Sequence, residues 1–255
     1  MLMRLTFLGT GTSMGVPVIA CRCATCMSDD IRDKRLRSSV HIETEVFSVV
    51  IDAGPDFRFQ MLREKIINLD AIFITHAHKD HYAGLDDVRA YNYYQKKAMP
   101  VYARKHDLKV ISKDFSYVFA AHKYPGVPDM ALIEVKNQAF MFKNTVVTPV
   151  DVWHHKMPVF GYRIGPLAYI TDTNFIPDKE LKKLRGIKVL VINALRHKQH
   201  LSHFTLEEAL ELILLLKPER AYLTHISHQM GKHEDIEKEL PDFVKPAYDR
   251  LKIEI

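Results

Sequence analysis

Residues 71–81 read AIFITHAHKDH, an apolar run that ends in four side chains able to ligate metal. AIFI has the β-branched and aromatic make-up of a short buried strand. Directly behind it, His76, His78, Asp80 and His81 crowd into six positions. Side chains two apart on an extended segment project to the same side, so His76 and His78 can grip one metal ion. A turn through Lys79 then swings Asp80 and His81 towards a second. Two metals about 3.5–4 Å apart can polarise a substrate and hold a hydroxide between them. The alternative is a histidine-rich polar loop, which this spacing disfavours.

The same strand-then-turn grammar recurs along the chain. RLTFLG (4–9), FSVVIDAG (47–54), TVVTPVDV (145–152), FGYRIG (160–165), LAYITD (167–172), VLVINA (189–194) and AYLTH (221–225) read as strands. PDFRFQMLREKI (55–66), DDVRAYNYYQKK (86–97), PDKELKKL (177–184) and TLEEALELILLLK (205–217) carry apolar residues at helical spacing. Thr205 followed by Glu208 forms a capping-box pattern, and Pro218 marks that helix's end. Residues 98–144 are the least regular stretch, with a loop at KYPGVPD (123–129). No repeat, low-complexity tract or linker interrupts the sequence, so one mixed α/β domain over residues 1–255 is expected. Asp52, His76, Asp172 and His225 each fall at the C-terminal end of a predicted strand, where a rigid sheet positions functional loops.

With 47% hydrophobic and 26% charged residues over 255 positions, the composition is that of a globular protein able to bury a sizeable core. No stretch approaches the roughly 20 apolar residues needed to span a membrane; LELILLLK (210–217) is broken by Glu211 and reads as a core-facing helix. MLMRLTFLGTGTS lacks the pattern of a signal peptide, so a cytoplasmic protein with no membrane partner is expected. The net charge of +5 suits an anionic substrate, and equally a solvated surface rich in lysine. The 14 histidines fall largely in tight groups, and histidine is the commonest metal ligand. All three cysteines lie in CRCATC (21–26). Held as metal ligands they need a fourth partner that is not cysteine. Redox-active thiols, or a disulfide with one free cysteine, are the competing readings.

HAHKDH resembles the signature of the metallo-β-lactamase superfamily. That resemblance implies an αβ/βα four-layer sandwich, two mixed β-sheets with helices on their outer faces, and further ligands downstream after later strands. VWHHKMPVFGYRI offers His154 or His155; the family's H-G-K form ahead of its G-Y-R strand aligns His154 with the ligand and His155 with the glycine. Asp172 fits the bridging aspartate and His225 the last histidine. By this carry-over His76, His78, His154 and Asp172 hold one divalent ion, and Asp80, His81, Asp172 and His225 hold another, so all seven ligand positions are filled. His and carboxylate ligands suit zinc and manganese alike. Asp52 matches the acidic position that orients a ligand histidine without binding metal.

Three further stretches are similar to one branch of that superfamily. FLGTGTSMGVP (7–17) looks like the N-terminal loop of its phosphodiesterases, tRNase Z among them. GLDDVR (84–89), and CRCATC with the late THISH (224–228), resemble the phosphoribosyl cyclic phosphodiesterase of the carbon–phosphorus lyase pathway and its relatives. There the cysteines and a histidine hold a structural zinc, which implies a Cys21, Cys23, Cys26 and His228 site; Cys₃His is a standard closed zinc set. SHFTLEEAL (202–210) resembles the H-[SNF]-T segment of the same enzymes and makes His203 the general-acid candidate, with a helix cap as the plainer reading. Asp80, besides its place among the ligands, joins it as a catalytic candidate. Relatives often end in A-Y-D-G where this chain has AYDR (247–250), which questions a terminal turn. Lys79 stands where small residues are common and would add charge at the pocket mouth.

The function this implies is metal-dependent hydrolysis of a small cyclic or nucleotide-like phosphodiester by a hydroxide bridging two metals. The alternatives are tRNase Z-like RNA 3′ processing, or thioester or lactone hydrolysis. Nucleic acid is the less favoured partner, since no long Gly/Pro-rich arm is present, and a homodimer is compatible with the sequence. Tyr91, Tyr93 and Tyr94 are pocket candidates that helical spacing explains equally well as core. His197 and His200 read as a solvated loop, and His41, His106, His122 and His233 as structural or surface residues.

Overall fold

Two seven-stranded sheets pack face to face in the computed structural model, which describes residues 2–255. The strands are β1 (Arg4–Gly9), β2 (Ser39–Glu43), β3 (Ser48–Ile51), β4 (Ala71–Phe73), β5 (Met99–Ala103), β6 (Met130–Glu134), β7 (Phe140–Phe142), β8 (Thr145–His154), β9 (Met157–Ile164), β10 (Leu167–Ile170), β11 (Val189–Asn193), β12 (Arg220–Thr224), β13 (Val244–Pro246) and β14 (Lys252–Glu254). The helices are α1 (Phe57–Glu64), α2 (Lys79–Tyr82), α3 (Arg89–Gln95), α4 (Lys105–Asp114), α5 (Asp178–Leu181), α6 (Leu206–Leu216) and α7 (His233–Lys238). The first sheet runs β14-β1-β2-β3-β4-β5-β6 and the second β13-β12-β11-β10-β9-β8-β7. Both are mixed: β3 to β6 and β10 to β13 are parallel, and the remaining pairs are antiparallel.

The parallel strands explain the continuous apolar runs. Every residue of β3, β4, β10 and β11 is buried, as strands covered on both faces must be. Three apolar layers result. Phe7, Ile42, Phe73, Tyr162, Tyr169 and Val191 fill the space between the sheets. Phe57, Met61, Tyr91 and Ile111 bring α1, α3 and α4 onto the outer face of the first sheet. Leu206, Ala209, Ile213 and Ile236 do the same for α6 and α7 on the second. At roughly 1.5–3 kcal/mol per large buried side chain, these layers fix which strand ends meet. No helix among the described residues is long and apolar enough to cross a membrane.

Most expected elements form with trimmed ends, and α6 carries the expected capping box, Glu208 N–H donating to Thr205 Oγ1 at 3.2 Å and Thr205 N–H to Glu208 Oε2 at 2.8 Å. The expected helix over 86–97 is shorter: a 3₁₀ stretch at Ala83–Val88 leads into α3. The largest correction concerns residues 98–144, which contain β5, α4, β6 and β7. Pro100 inside β5 and the short, half-exposed β6 and β7 mask the strand pattern there. The AYDR turn does form. Arg250 sits at φ +75°, in the left-handed region that favours the glycine of relatives.

One buried histidine gives this fold an acid sensitivity. Ser48 Oγ donates to Asn68 O at 2.8 Å, so it receives the His41 Nε2 proton at 2.7 Å. Burial, helped by Lys252, pushes His41 down to about 4. The unfolded chain takes up that proton near pH 6.5 and the folded chain only near pH 4. Stability is therefore full above pH 6.5 and falls as pH drops through that window, by up to about 3 kcal/mol. Urea midpoints at pH 7 and pH 5 should differ less in His41→Asn than in the parent; an unchanged difference would assign the sensitivity elsewhere.

Candidate metal centres

The site forms where the carboxyl ends of both sheets meet, and the backbone leaves its strands there by the same device three times. Asp52 after β3, Asp172 after β10 and His225 after β12 all adopt left-handed φ, at +67°, +51° and +56°. Non-glycine residues rarely do so, Asp and His more than most, and three such residues at one locus make it the candidate site. Each turn ends its strand abruptly. His76–His81 follow β4, His154 ends β8, and His203 precedes α6.

Asp172 lies at the centre and is fully buried. Its Oδ1 is 3.1 Å from His225 Nδ1, and its Oδ2 is 3.4 Å from His81 Nε2 and 3.9 Å from His76 Nε2. Donor atoms of His76, His78 and His154 lie within 4.8 Å of one another, as do those of Asp80, Asp172 and His225. His203 also comes within that range of His154 and Asp172. Burial would push the Asp172 carboxyl up, but His225 and His81 outweigh it and hold it well below its usual value. His81 responds oppositely: burial opposes charge, yet Asp172, Asp52 and Asp80 raise it well above 6.5. Burial drives His76 well below its normal value.

The residues fit divalent ions. His81 Nε2 is buried, 3.2 Å from Asp80 Oδ2 and 3.4 Å from Asp172 Oδ2, and makes a hydrogen bond to neither. A buried nitrogen aimed between two carboxylates without a hydrogen bond suits a cation in that space. Its other nitrogen, Nδ1, is 2.7 Å from Asp52 Oδ2, the arrangement that fixes a ligand imidazole's tautomer and direction. Asp52 also accepts from Thr75 N–H at 2.8 Å and from Thr75 Oγ1. His154 Nδ1 donates to Ser202 O at 2.8 Å, turning Nε2 towards the cluster. His155 is exposed on the β8–β9 turn at φ +57°, which is why glycine suits that position in relatives. Close packing locks the loop: a Cβ on Gly54 would stand 1.9 Å from Asp80 O.

A second cluster joins the N-terminal loop to the end of β12. Cys21 Sγ and Cys23 Sγ are each 3.3 Å from His228 Nδ1, and all four donors, Cys26 included, lie within 4.8 Å. Backbone N–H groups of Val18 and Cys26 donate to Cys26 Sγ and Cys23 Sγ. The Cys26 N–H, against burial, pulls the Cys23 thiol down to about 6, whereas burial pushes Cys26 up to about 11. Three thiols and an imidazole within tetrahedral reach are a structural-zinc donor set.

Some partners were not anticipated. Thr12 Oγ1 is 3.2 Å from His225 Nε2 and Ser38 Oγ is 3.1 Å from its Nδ1. The GTGTS motif held the signal for Thr12; nothing local marks Ser38. Lys79 pairs with Asp114 and lies over the Tyr82 ring. Tyr91 is core, and Tyr94 lines an outer apolar groove of about 790 Å³ between α1 and α3, away from the cluster. His200, expected on a solvated loop, is half-buried, its ring tilted against that of His203 with centroids 5.2 Å apart.

A family model described as "Beta-lactamase superfamily domain" matches residues 48–226. An octanoyltransferase of Porphyromonas gingivalis is 39% identical over 252 residues, covering 98% of this chain and 51% of that protein. A ribonuclease Z of Staphylococcus epidermidis is 28% identical over 193 residues, covering 72% of this chain and 55% of its own. The chain thus spans about half the length of these curated relatives. A solved structure described as a new diphosphatase from the PhnP family superposes with a TM-score of 0.94 at 41% identity, covering 100% of this chain and 98% of that one.

Proposed function

The chain belongs to the metallo-β-lactamase superfamily of hydrolases, and from that premise we propose that it hydrolyses a phosphodiester or diphosphate linkage in a small anionic substrate. The observation that carries this reading is the buried Asp172 carboxylate between two sets of imidazoles, with His203 beside it. The 41% identity to a diphosphatase along the whole chain supports the substrate class.

In this reading His76, His78, His154 and Asp172 hold one divalent ion, and Asp80, His81, Asp172 and His225 the other. When bound, such a pair supplies Lewis acidity and lowers the pKa of water. Asp52 holds His81 in one tautomer, and the Ser202 carbonyl does so for His154. Cys21, Cys23, Cys26 and His228 hold a structural zinc.

His203 protonates the leaving oxygen. It is buried, with Nδ1 lacking a hydrogen-bond partner. Burial pushes its pKa far down while Asp172 opposes that, so an anionic group bound beside it favours the protonated ring. General-acid catalysis contributes about 10²–10⁴-fold. His203→Ala should lower kcat by roughly that factor with metal content intact; lost metal would reassign His203 as a ligand.

The test is metal analysis followed by a substrate panel: an aryl phosphodiester, ribose 1,2-cyclic phosphate, 2′,3′-cyclic nucleotides, a nucleoside diphosphate ester, a pre-tRNA, an octanoyl thioester and a lactone. Turnover of the small phosphoesters is expected. Cleavage of the thioester or lactone alone would overturn the reading, and cleavage of the pre-tRNA alone would move it to RNA processing.

A further inference from the structure

The peptide between His76 and His78 is held by a carboxylate that the reading above leaves without a task. Backbone groups around it are satisfied one by one. Ile74 N–H donates to Tyr102 O at 2.8 Å and Thr75 N–H to Asp52 Oδ1 at 2.8 Å; Ile74 O accepts from Tyr162 Oη at 2.8 Å and Thr75 O from Phe160 N–H at 3.0 Å. Ala77 N–H donates to Asp107 Oδ1 at 3.1 Å.

Asp107 sits in the first turn of α4, at the position where an acidic side chain ordinarily reaches back to its own helix cap. Here it turns away from the helix to the metal-ligand loop. It is 2% exposed, and its Oδ2 is buried with no partner. Burying a carboxylate for one amide hydrogen bond, with an oxygen left bare, costs more than the bond returns. A residue kept at a net loss to folding points to a service to the site. Fixing the Ala77 peptide fixes the backbone from which the His76 and His78 rings diverge, their centroids 4.6 Å apart.

We infer that Asp107 is a positioning residue for the active-site metals, holding the Ala77 amide so that His76 and His78 converge on one ion. This rests on the metal reading above. Partners outside the ligand sphere are typically worth 10–100-fold in metal affinity.

The experiment titrates zinc into metal-free protein against a chromogenic chelator. The cysteine site is the internal reference, and thermal unfolding of the metal-free protein is followed in parallel. Asp107→Ala should weaken zinc binding at the active site 10–100-fold and leave the cysteine site unchanged. Asp107→Leu, which keeps the branched outline but offers no acceptor, should do the same without leaving a cavity. Asp107→Asn, which keeps an acceptor oxygen, should recover most of the affinity. Wild-type affinity in the Ala or Leu variant overturns the inference, as does an Asn variant no better than Leu, or a fall in melting temperature with no change in affinity. A wild-type protein that binds zinc only at the cysteines overturns the metal reading and this inference together.

Discussion

Asp172→Ala is expected to lower turnover of any phosphoester substrate by about 10³-fold or more and to remove at least one active-site ion per chain. Few other side chains touch both halves of the cluster. Its Oδ1 reaches towards His225 and its Oδ2 towards His81, both of one proposed ligand set, and Oδ2 also faces His76 of the other. Truncation leaves those imidazoles facing a void with one negative charge fewer, and Thr171 Oγ1 loses its 2.6 Å acceptor. Asp172→Asn separates charge from shape: it keeps the volume and one oxygen but cannot neutralise two dications. It should therefore bind metal more weakly than the parent and turn over nearly as slowly as the alanine form. Metal content by plasma mass spectrometry and initial rates on an aryl phosphodiester read both effects. Activity retained by the alanine form would place the chemistry elsewhere.

The residues that speak for themselves in the sequence are those whose chemistry follows directly on a strand pattern. AIFI before HAHKDH, LAYI before Thr171-Asp172 and AYLT before His225 each show an apolar run interrupted by a polar group that a buried sheet would not otherwise carry. The structure adds that Asp52, Asp172 and His225 are also where the backbone turns left-handed, a feature that no periodicity records. What stayed hidden depends on distant contacts. Ser38 and Asp107 have no local pattern, since their meaning comes from loops 187 and 30 residues away. Lys79 sits beside the ligands in the sequence, and only the fold shows that its side chain pairs with Asp114 at the end of α4. Residues 98–144 were illegible for a different reason: their strands are short, interrupted by proline or half-exposed, so the alternation that marks a strand is weak.

Cys23→Ser is expected to remove one zinc per chain and to lower stability by on the order of 4 kcal/mol, about 10 °C in melting temperature for a chain of this size. The magnitude follows from loop length. A clip between Cys23 and His228 closes some two hundred residues, and cross-links over loops of 100 residues already remove roughly 4–5 kcal/mol of unfolded-state entropy. Serine keeps the shape but is a poor zinc ligand, because the thiolate is the ligand and the Cys23 thiol is the one its neighbours bring down to about 6. The damage should also spread in a defined direction. Ile226 N–H donates to Thr10 O at 2.9 Å and Thr12 Oγ1 sits 3.2 Å from His225, so a loosened N-terminal loop withdraws support from an active-site histidine three residues before His228. The variant should thus lose affinity at the His225 ion before the ion held by His76, His78 and His154. Sequential zinc removal by a chelator, followed by residual metal and rate, distinguishes this from general unfolding. Full zinc content in Cys23→Ser would remove the basis for the clip, and equal loss at both active-site ions would remove the basis for its directional coupling to His225.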